Sequence, residues 1–198
     1  EGFQTETEAL DAVQEGQNII PGWRSVPRLV GPVEFGSFTR YPRMGNGGAV
    51  IWRDVSTQST QNRVGLKNPG ALAAAAFLAK HRADLPWQFG INVAVSPGVI
   101  DVDQEQIEVL EAVSAFLDQG IQPTWFTLNV SCPNTEDDPG GHQTEAQTRQ
   151  LCSAVVGYLL DRKFTIPVWV KISPGLAAEQ YHILMRVFHE VGARAVIA

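Results

Sequence analysis

The sequence predicts an α/β fold built on a parallel sheet, and three observations predict it. Short apolar runs alternate with helical stretches along most of the chain, the rhythm of strand, crossover helix and parallel strand. Runs such as Trp125-Phe126-Thr127-Leu128 and Val168-Trp169-Val170-Lys171-Ile172 are nearly continuous in apolar character, as strands buried on both faces are. Polar residues mark the ends of several different runs: Ser37, Asn92, Asn129 and Lys171. A site drawn from many strand ends is the habit of (β/α)8 barrels, so the class expected is α/β of the TIM-barrel type. No GxGxxG or GxxxxGKS pattern follows any run, which disfavours a dinucleotide or P-loop fold.

Each element has its own signal. Thr5-Glu6-Thr7-Glu8 has the form of a capping box and predicts a short helix through about Val13. A Pro- and Gly-rich stretch then leads to a strand, Val33-Glu34-Phe35-Gly36-Ser37. Residues 39–62 read as an irregular excursion, with a small hairpin through Ala49-Val50-Ile51-Trp52, and so long a connection usually serves function. Asn68 as cap and Pro69 at the first helical position predict a helix from Ala71 to Arg82.

Phe89 to Val95 is the next strand. Asp101 or Asp103 caps a helix that presents Ile107, Leu110, Val113, Ser114 and Leu117 on one face and stops at Gly120. The strand Trp125 to Val130 is followed by a loop, 131–143, and by a helix from Thr144 to Asp161 with Thr144 and Gln147 in capping-box spacing. Val168 to Ile172 is a strand, Ala177 to Val191 a helix, and Ala195 to Ala198 a final strand.

Composition bounds the chemistry. With 198 residues, 44% of them hydrophobic, the chain has enough apolar surface to bury a substantial core as a single domain. A formal charge of -6 and the lack of any Lys/Arg cluster exclude the basic face that nucleic acid demands. No apolar run approaches the roughly 18 residues of a membrane span and no signal-peptide pattern opens the chain, so a soluble, cytoplasmic protein is expected. Two cysteines do not make a disulfide framework, and His81, His142, His182 and His189 lack metal-ligand spacing, so no metal is expected. Cys152 falls in a helix with Leu151, Val155, Val156 and Leu159 and reads as core; His142, after Gly140-Gly141, reads as solvated.

The segment richest in chemistry is Asn129-Val130-Ser131-Cys132-Pro133-Asn134-Thr135, where a thiol sits between carboxamides as a buried strand gives way to a loop. Ser, Pro and Asn there are also ordinary turn formers. This segment, with Val170-Lys171-Ile172-Ser173-Pro174, Asn62-Arg63-Val64-Gly65-Leu66-Lys67-Asn68-Pro69-Gly70 and Glu34-Phe35-Gly36-Ser37-Phe38-Thr39, resembles the dihydroorotate dehydrogenase family. The four matches stand in the family's order and span Val33 to Ala198.

The resemblance implies a barrel holding FMN at its carboxyl mouth, with a pyrimidine stacked on the flavin. It implies that Cys132 is the base that removes the C5 proton of dihydroorotate while the C6 hydride passes to the flavin. A cysteine at that position is similar to the soluble class 1 enzymes, which suggests a homodimer, whereas Asn134-Thr135 and Lys171-Ile172-Ser173-Pro174 also occur in the membrane-associated class. By the same resemblance Asn62, Asn129, Asn134 and Thr135 bind substrate, and Ser37, Asn92, Asn129 and Lys171 contact the cofactor. The loop 131–143 is then an active-site loop that covers the substrate. The electron acceptor, whether fumarate, NAD or quinone, is left open.

Departures from the family point to an incomplete barrel. No glycine-bearing first strand precedes Thr5, and the chain ends where relatives continue into two further strands that hold the FMN phosphate. A complete barrel of this kind takes about 250 residues. Two alternatives remain beside dihydroorotate oxidation: a dihydropyrimidine dehydrogenase-like flavin enzyme, and a barrel fragment that binds a ligand or partner without redox chemistry.

Overall fold

The computed structural model describes residues 29, 31–99, 101–131 and 144–198. In chain order its elements are β1 (Val33–Phe38), β2 (Ile51–Asp54), β3 (Ser59–Asn62), α1 (Ala71–Lys80), β4 (Phe89–Ala94), α2 (Val102–Asp118), β5 (Trp125–Asn129), α3 (Glu145–Asp161), β6 (Val168–Lys171), α4 (Ala178–Val191) and β7 (Ala195–Ile197). The helix expected at Thr5 lies outside the described residues.

Five strands form one parallel sheet in the order β1-β4-β5-β6-β7, which is also their chain order. A doubly wound sheet reverses its order at a switch point; this one never does, so its right-handed crossovers leave every described helix on the same face. Neighbouring helices therefore pack in sequence, α1 on α2, α2 on α3 and α3 on α4. This is the winding of a β/α barrel wall.

Register sorts the strand residues into two faces. Val93, Leu128, Val170 and Val196 form one row, with Ile91, Phe126 and Val168 in the row before it. These meet Ala75, Leu78, Val109, Phe116, Leu151, Val155, Leu184 and Val187 from the helices, and that layer is the hydrophobic core. The alternate rows, Glu34-Gly90-Trp125, Asn92-Thr127-Trp169-Ala195 and Ala94-Asn129-Lys171-Ile197, face the other way, toward the inside of the curved sheet.

Burial on both faces, expected of every strand, holds only for β4 and β5. In β1 the outward residues are half-buried while Glu34 and Gly36 are exposed, and in β6 Trp169 and Lys171 are half-buried. β1 ends the described sheet with β4 as its neighbour on one side, which leaves it less covered.

Three further expectations shift. The hairpin in 39–62 runs from Ile51–Asp54 to Ser59–Asn62, later than the stretch Ala49 to Trp52, and both its strands are exposed, so no hydrophobic alternation marks them. The cap of α1 is Gly70, not Asn68. Asn68 instead accepts from the Gly70 and Thr39 amides at 2.8 and 3.2 Å and donates to Leu66 O and Thr39 Oγ1, tying the excursion back to the end of β1. α1 ends at Lys80 and a 3-10 turn follows at Arg82–Asp84.

The buried face of α2 is Glu105, Glu108, Val109, Ala112, Val113, Phe116 and Leu117, so Ile107 lies outside, 48% exposed. Asp101, not Asp103, caps this helix by accepting from the Asp103 and Gln104 amides. Thr144 caps α3 as expected.

Candidate active site

Three of the expected residues stand at one edge of the sheet, and a fourth, Asn92, one inward row below it. Ser37 stands at the carboxyl end of β1, Asn92 in β4, Asn129 at the last position of β5 and Lys171 at the last position of β6. Asn129 and Lys171 are direct register partners. Asn129 Nδ2 donates to Ser37 Oγ at 3.2 Å, its Oδ1 accepts from the Ser131 amide at 3.2 Å, and the Lys171 ammonium reaches the Ser131 carbonyl at 3.4 Å. One carboxamide thus links β1 to the turn after β5, and the lysine meets that turn from β6.

Ser37 and Asn129 belong to strands that are not neighbours, since β4 runs between them. The bond therefore crosses β4, beside the irregularity in register between Phe35 and Phe38. A second crossing lies two rows deeper, where Glu34 of β1 reaches over Gly90 to β5. Glu34 Oε2 accepts from Trp125 Nε1 at 2.8 Å and from the Thr127 hydroxyl, and Oε1 accepts from Asn92 Nδ2 at 2.8 Å. A Cβ on Gly90 would stand 2.2 Å from the Trp125 indole, so only glycine admits that ring. The Trp125 and Trp169 rings stack with centroids 4.4 Å apart, flooring the site with two flat apolar surfaces.

Two buried polar atoms here, Asn92 Oδ1 and Ser131 Oγ, have no hydrogen-bond partner, although Asn92 is only 5% and Ser131 only 2% exposed. Buried polar atoms are ordinarily satisfied, so each orphan calls for an explanation such as a water, an ion or a ligand; Glu108 Oε2 and Thr148 Oγ1, on the helices, are orphans as well. Gly36 is held at φ 138°, and a Cβ there would lie 2.6 Å from Asn92 O. The backbone of β1 therefore lies close against β4 beside Asn92.

Cys132, Asn134, Thr135 and His142 lie outside the described residues, as does all of the expected active-site loop beyond Ser131. Asn62 is at the end of β3, exposed, in the separate two-stranded sheet rather than on the barrel wall. Its Oδ1 accepts from the Val64 amide at 3.4 Å. Cys152 is core, as expected: it is fully buried in α3, and burial pushes its thiol up to about 12. Among the described residues no group of His, Cys, Asp and Glu is arranged to hold a metal ion, and no helix is long and apolar enough to cross a membrane.

Sequence reasoning passed over Glu34, Trp125 and Thr127 as site residues. A signal for Glu34 was available: a carboxylate between Val33 and Phe35 must face opposite to both, and hence inward. Nothing in the sequence alone joins it to residues more than ninety positions later.

The family model described as dihydroorotate dehydrogenase matches residues 24–198. A Streptomyces coelicolor protein named dihydroorotate dehydrogenase (quinone) is 33% identical over 169 residues, covering 84% of this chain and 44% of the relative. A Mycobacterium leprae protein of the same name is 30% identical over 171 residues, covering 85% and 44%. The crystal structure of ligand-free type DHODH from Eimeria tenella superposes with a TM-score of 0.70 at 22% identity, over 84% of this chain and 51% of that one. That of the same organism's DHODH in complex with ferulenol gives 0.69 at 18%, over 99% and 66%. At these identities the two structures bear on the fold alone. The chain spans 44% of the length of the two curated relatives.

Proposed function

The chain belongs to the dihydroorotate dehydrogenase family, and from that premise we propose that the protein carrying it oxidises dihydroorotate to orotate in pyrimidine biosynthesis, with FMN at the carboxyl edge of the sheet. The observation that carries the reading is the convergence of Ser37, Asn129 and Lys171 from three strands on one edge, with Asn92 one row below and its buried carboxamide oxygen without a partner. Hydroxyl, carboxamide and ammonium groups at one rim suit a planar ring system edged with nitrogen and oxygen atoms. The orphaned Asn92 oxygen fits an N–H or O–H of such a group.

When bound, FMN supplies the acceptor for the hydride that leaves C6 of dihydroorotate. Cys132, immediately after Ser131, takes the C5 proton on its sulfur, so that loss of both hydrogens leaves the C5=C6 double bond of orotate. An ordinary thiol titrates near about pH 8.5 and needs a stabilised thiolate to act as a base. The Lys171 ammonium, at 3.4 Å from the carbonyl of the preceding residue, supplies a positive charge on that side of the turn. The same charge favours negative charge developing on the ring system. Asn129 orients the turn through the Ser131 amide, and with Asn62, Asn134 and Thr135 it binds the pyrimidine ring and its carboxylate. The relatives are named for a quinone, which supports a quinone as the acceptor that reoxidises the cofactor.

The test is anaerobic flavin reduction in the complete protein that carries this sequence. Dihydroorotate should bleach the oxidised flavin band, and Cys132→Ser should slow that bleaching by about 10²- to 10⁴-fold, the usual worth of a positioned base, with orotate affinity changed only a few-fold. A protein that takes up no added FMN, or a flavin band indifferent to dihydroorotate, refutes the reading. Equal losses of rate and orotate affinity in Cys132→Ser would reassign that thiol to structure.

A further inference from the structure

We propose that Glu34 is a positioning residue: it determines which end of the Asn92 carboxamide faces the cofactor site, so that the oxygen, not the NH2, is presented to a donor of the bound group. The inference rests on the FMN reading above and adds a residue that does not itself touch cofactor or substrate.

The geometry is one of forced polarity. As a carboxylate, Glu34 only accepts hydrogen bonds, and the Trp125 indole only donates. Oε2 is taken by Trp125 Nε1 and the Thr127 hydroxyl, which leaves Oε1 to face Asn92. Asn92 can satisfy that oxygen only with its NH2, and Nδ2 lies 2.8 Å away. Glu34 is paired with Gly90, two residues before Asn92, so it approaches from the amino-terminal side. The carboxamide oxygen is therefore turned away from it, toward the edge where Ser37, Asn129 and Lys171 meet. That oxygen is the buried atom without a partner, on a side chain only 5% exposed. An amide free to turn over would offer a bound N–H either a partner or a clash; Glu34 removes the second choice.

In Glu34→Gln the introduced amide must turn its oxygen to the Trp125 indole, which cannot accept, and so its NH2 to Asn92. Two NH2 groups then oppose each other until Asn92 flips and presents a donor to the site. FMN affinity of the complete protein, measured by quenching of flavin fluorescence, should fall about 10- to 100-fold, the cost of opposing two like partners in a partly buried site.

Asn92→Asp alone sets two carboxylates against each other and should also bind FMN weakly. The double variant Glu34→Gln with Asn92→Asp restores a donor facing an acceptor and again turns an acceptor to the site, so it should recover most of the lost affinity. Melting temperatures of all four proteins without flavin separate folding from binding. They also keep the double variant informative if Glu34→Gln alone folds poorly. A double variant no better than the single ones in FMN affinity would overturn the proposal, because a merely structural carboxylate is not rescued by inverting the polarity of its neighbour. A wild-type protein that binds no FMN would instead overturn the cofactor reading itself.

Discussion

Gly90→Ala isolates the packing that lets β1 speak to β5. Gly90 is not held at positive φ, so alanine fits its backbone and the whole effect is steric. The new methyl would stand 2.2 Å from the Trp125 indole, against a contact distance of about 3.5–4.0 Å for carbon, so the ring must move by more than about 1 Å. It has little room to do so, since its other face lies on Trp169 at 4.4 Å and its nitrogen is held by Glu34 at 2.8 Å.

Overpacking of this kind costs about 1–3 kcal/mol, and loss of a hydrogen bond to a charged acceptor about 1.5 kcal/mol more. Reduced freedom of the unfolded chain returns about 0.5 kcal/mol. The net is a destabilisation of about 2–4 kcal/mol, or a melting temperature lower by roughly 4–16 °C in a domain of this size. Thermal melts of the flavin-free protein, with near-ultraviolet circular dichroism to follow the stacked tryptophans, measure both parts. Gly157→Ala, mid-helix in α3 with nothing within 4 Å of its Cβ, is the control and should not lower the melting temperature. An unchanged melting temperature and an unchanged tryptophan signal in Gly90→Ala would refute the reasoning.

Two further outcomes are expected. Burial pushes the Cys152 thiol up to about 12, so it should resist iodoacetamide at pH 8–9 in the native protein and react only on unfolding, as peptide mapping would read; fast native labelling would contradict its place in the core. The sign follows: the folded value lies above the unfolded one, so this thiol's contribution to stability is complete below about pH 8.5 and is lost as pH rises toward 12. Asp118 is held below the ordinary carboxylate range, first by the Ser114 hydroxyl and then by Arg162. Its contribution is therefore complete above the unfolded value of about 3.9 and lost as pH falls through the lower folded one. Ser114→Ala should move the carboxyl titration of Asp118, followed by NMR, upward; a titration that does not move would assign the shift to Arg162.

The strand order and the hydrophobic layer were readable because parallel strands and their crossover helices are nearly local in sequence. Val93, Leu128, Val170 and Val196 announce themselves as apolar runs, and Asp101, Thr144 and Gly120 as helix ends. The rims Ser37, Asn92, Asn129 and Lys171 were readable as polar interruptions of those runs. The buried face of α2 was not: Glu105 and Glu108 occupy core positions where hydropathy predicts Ile107 and Leu110. Asn68 was misassigned because an Asn before Pro-Gly suits a helix cap, whereas here its side chain serves a tertiary tie to Thr39. Neither failure is a matter of propensity. The second arises from a partner distant in sequence, Thr39 for Asn68, which a one-dimensional pattern does not contain.

That distance also explains why the inner face of this sheet serves both structure and chemistry. A barrel interior filled with branched aliphatic residues couples its strands through packing alone. Here β1 and β5 are coupled through a carboxylate that passes over β4 at Gly90 and a carboxamide that meets Ser37 across the same strand. Each bond leaves a polar end committed to its neighbour and turns another end to the rim, as Asn92 does when it gives its NH2 to Glu34. The layer under the site therefore orients the layer that forms it. A residue such as Glu34 can matter to the reaction without reaching the ligand, and a glycine such as Gly90 can matter without carrying any chemistry.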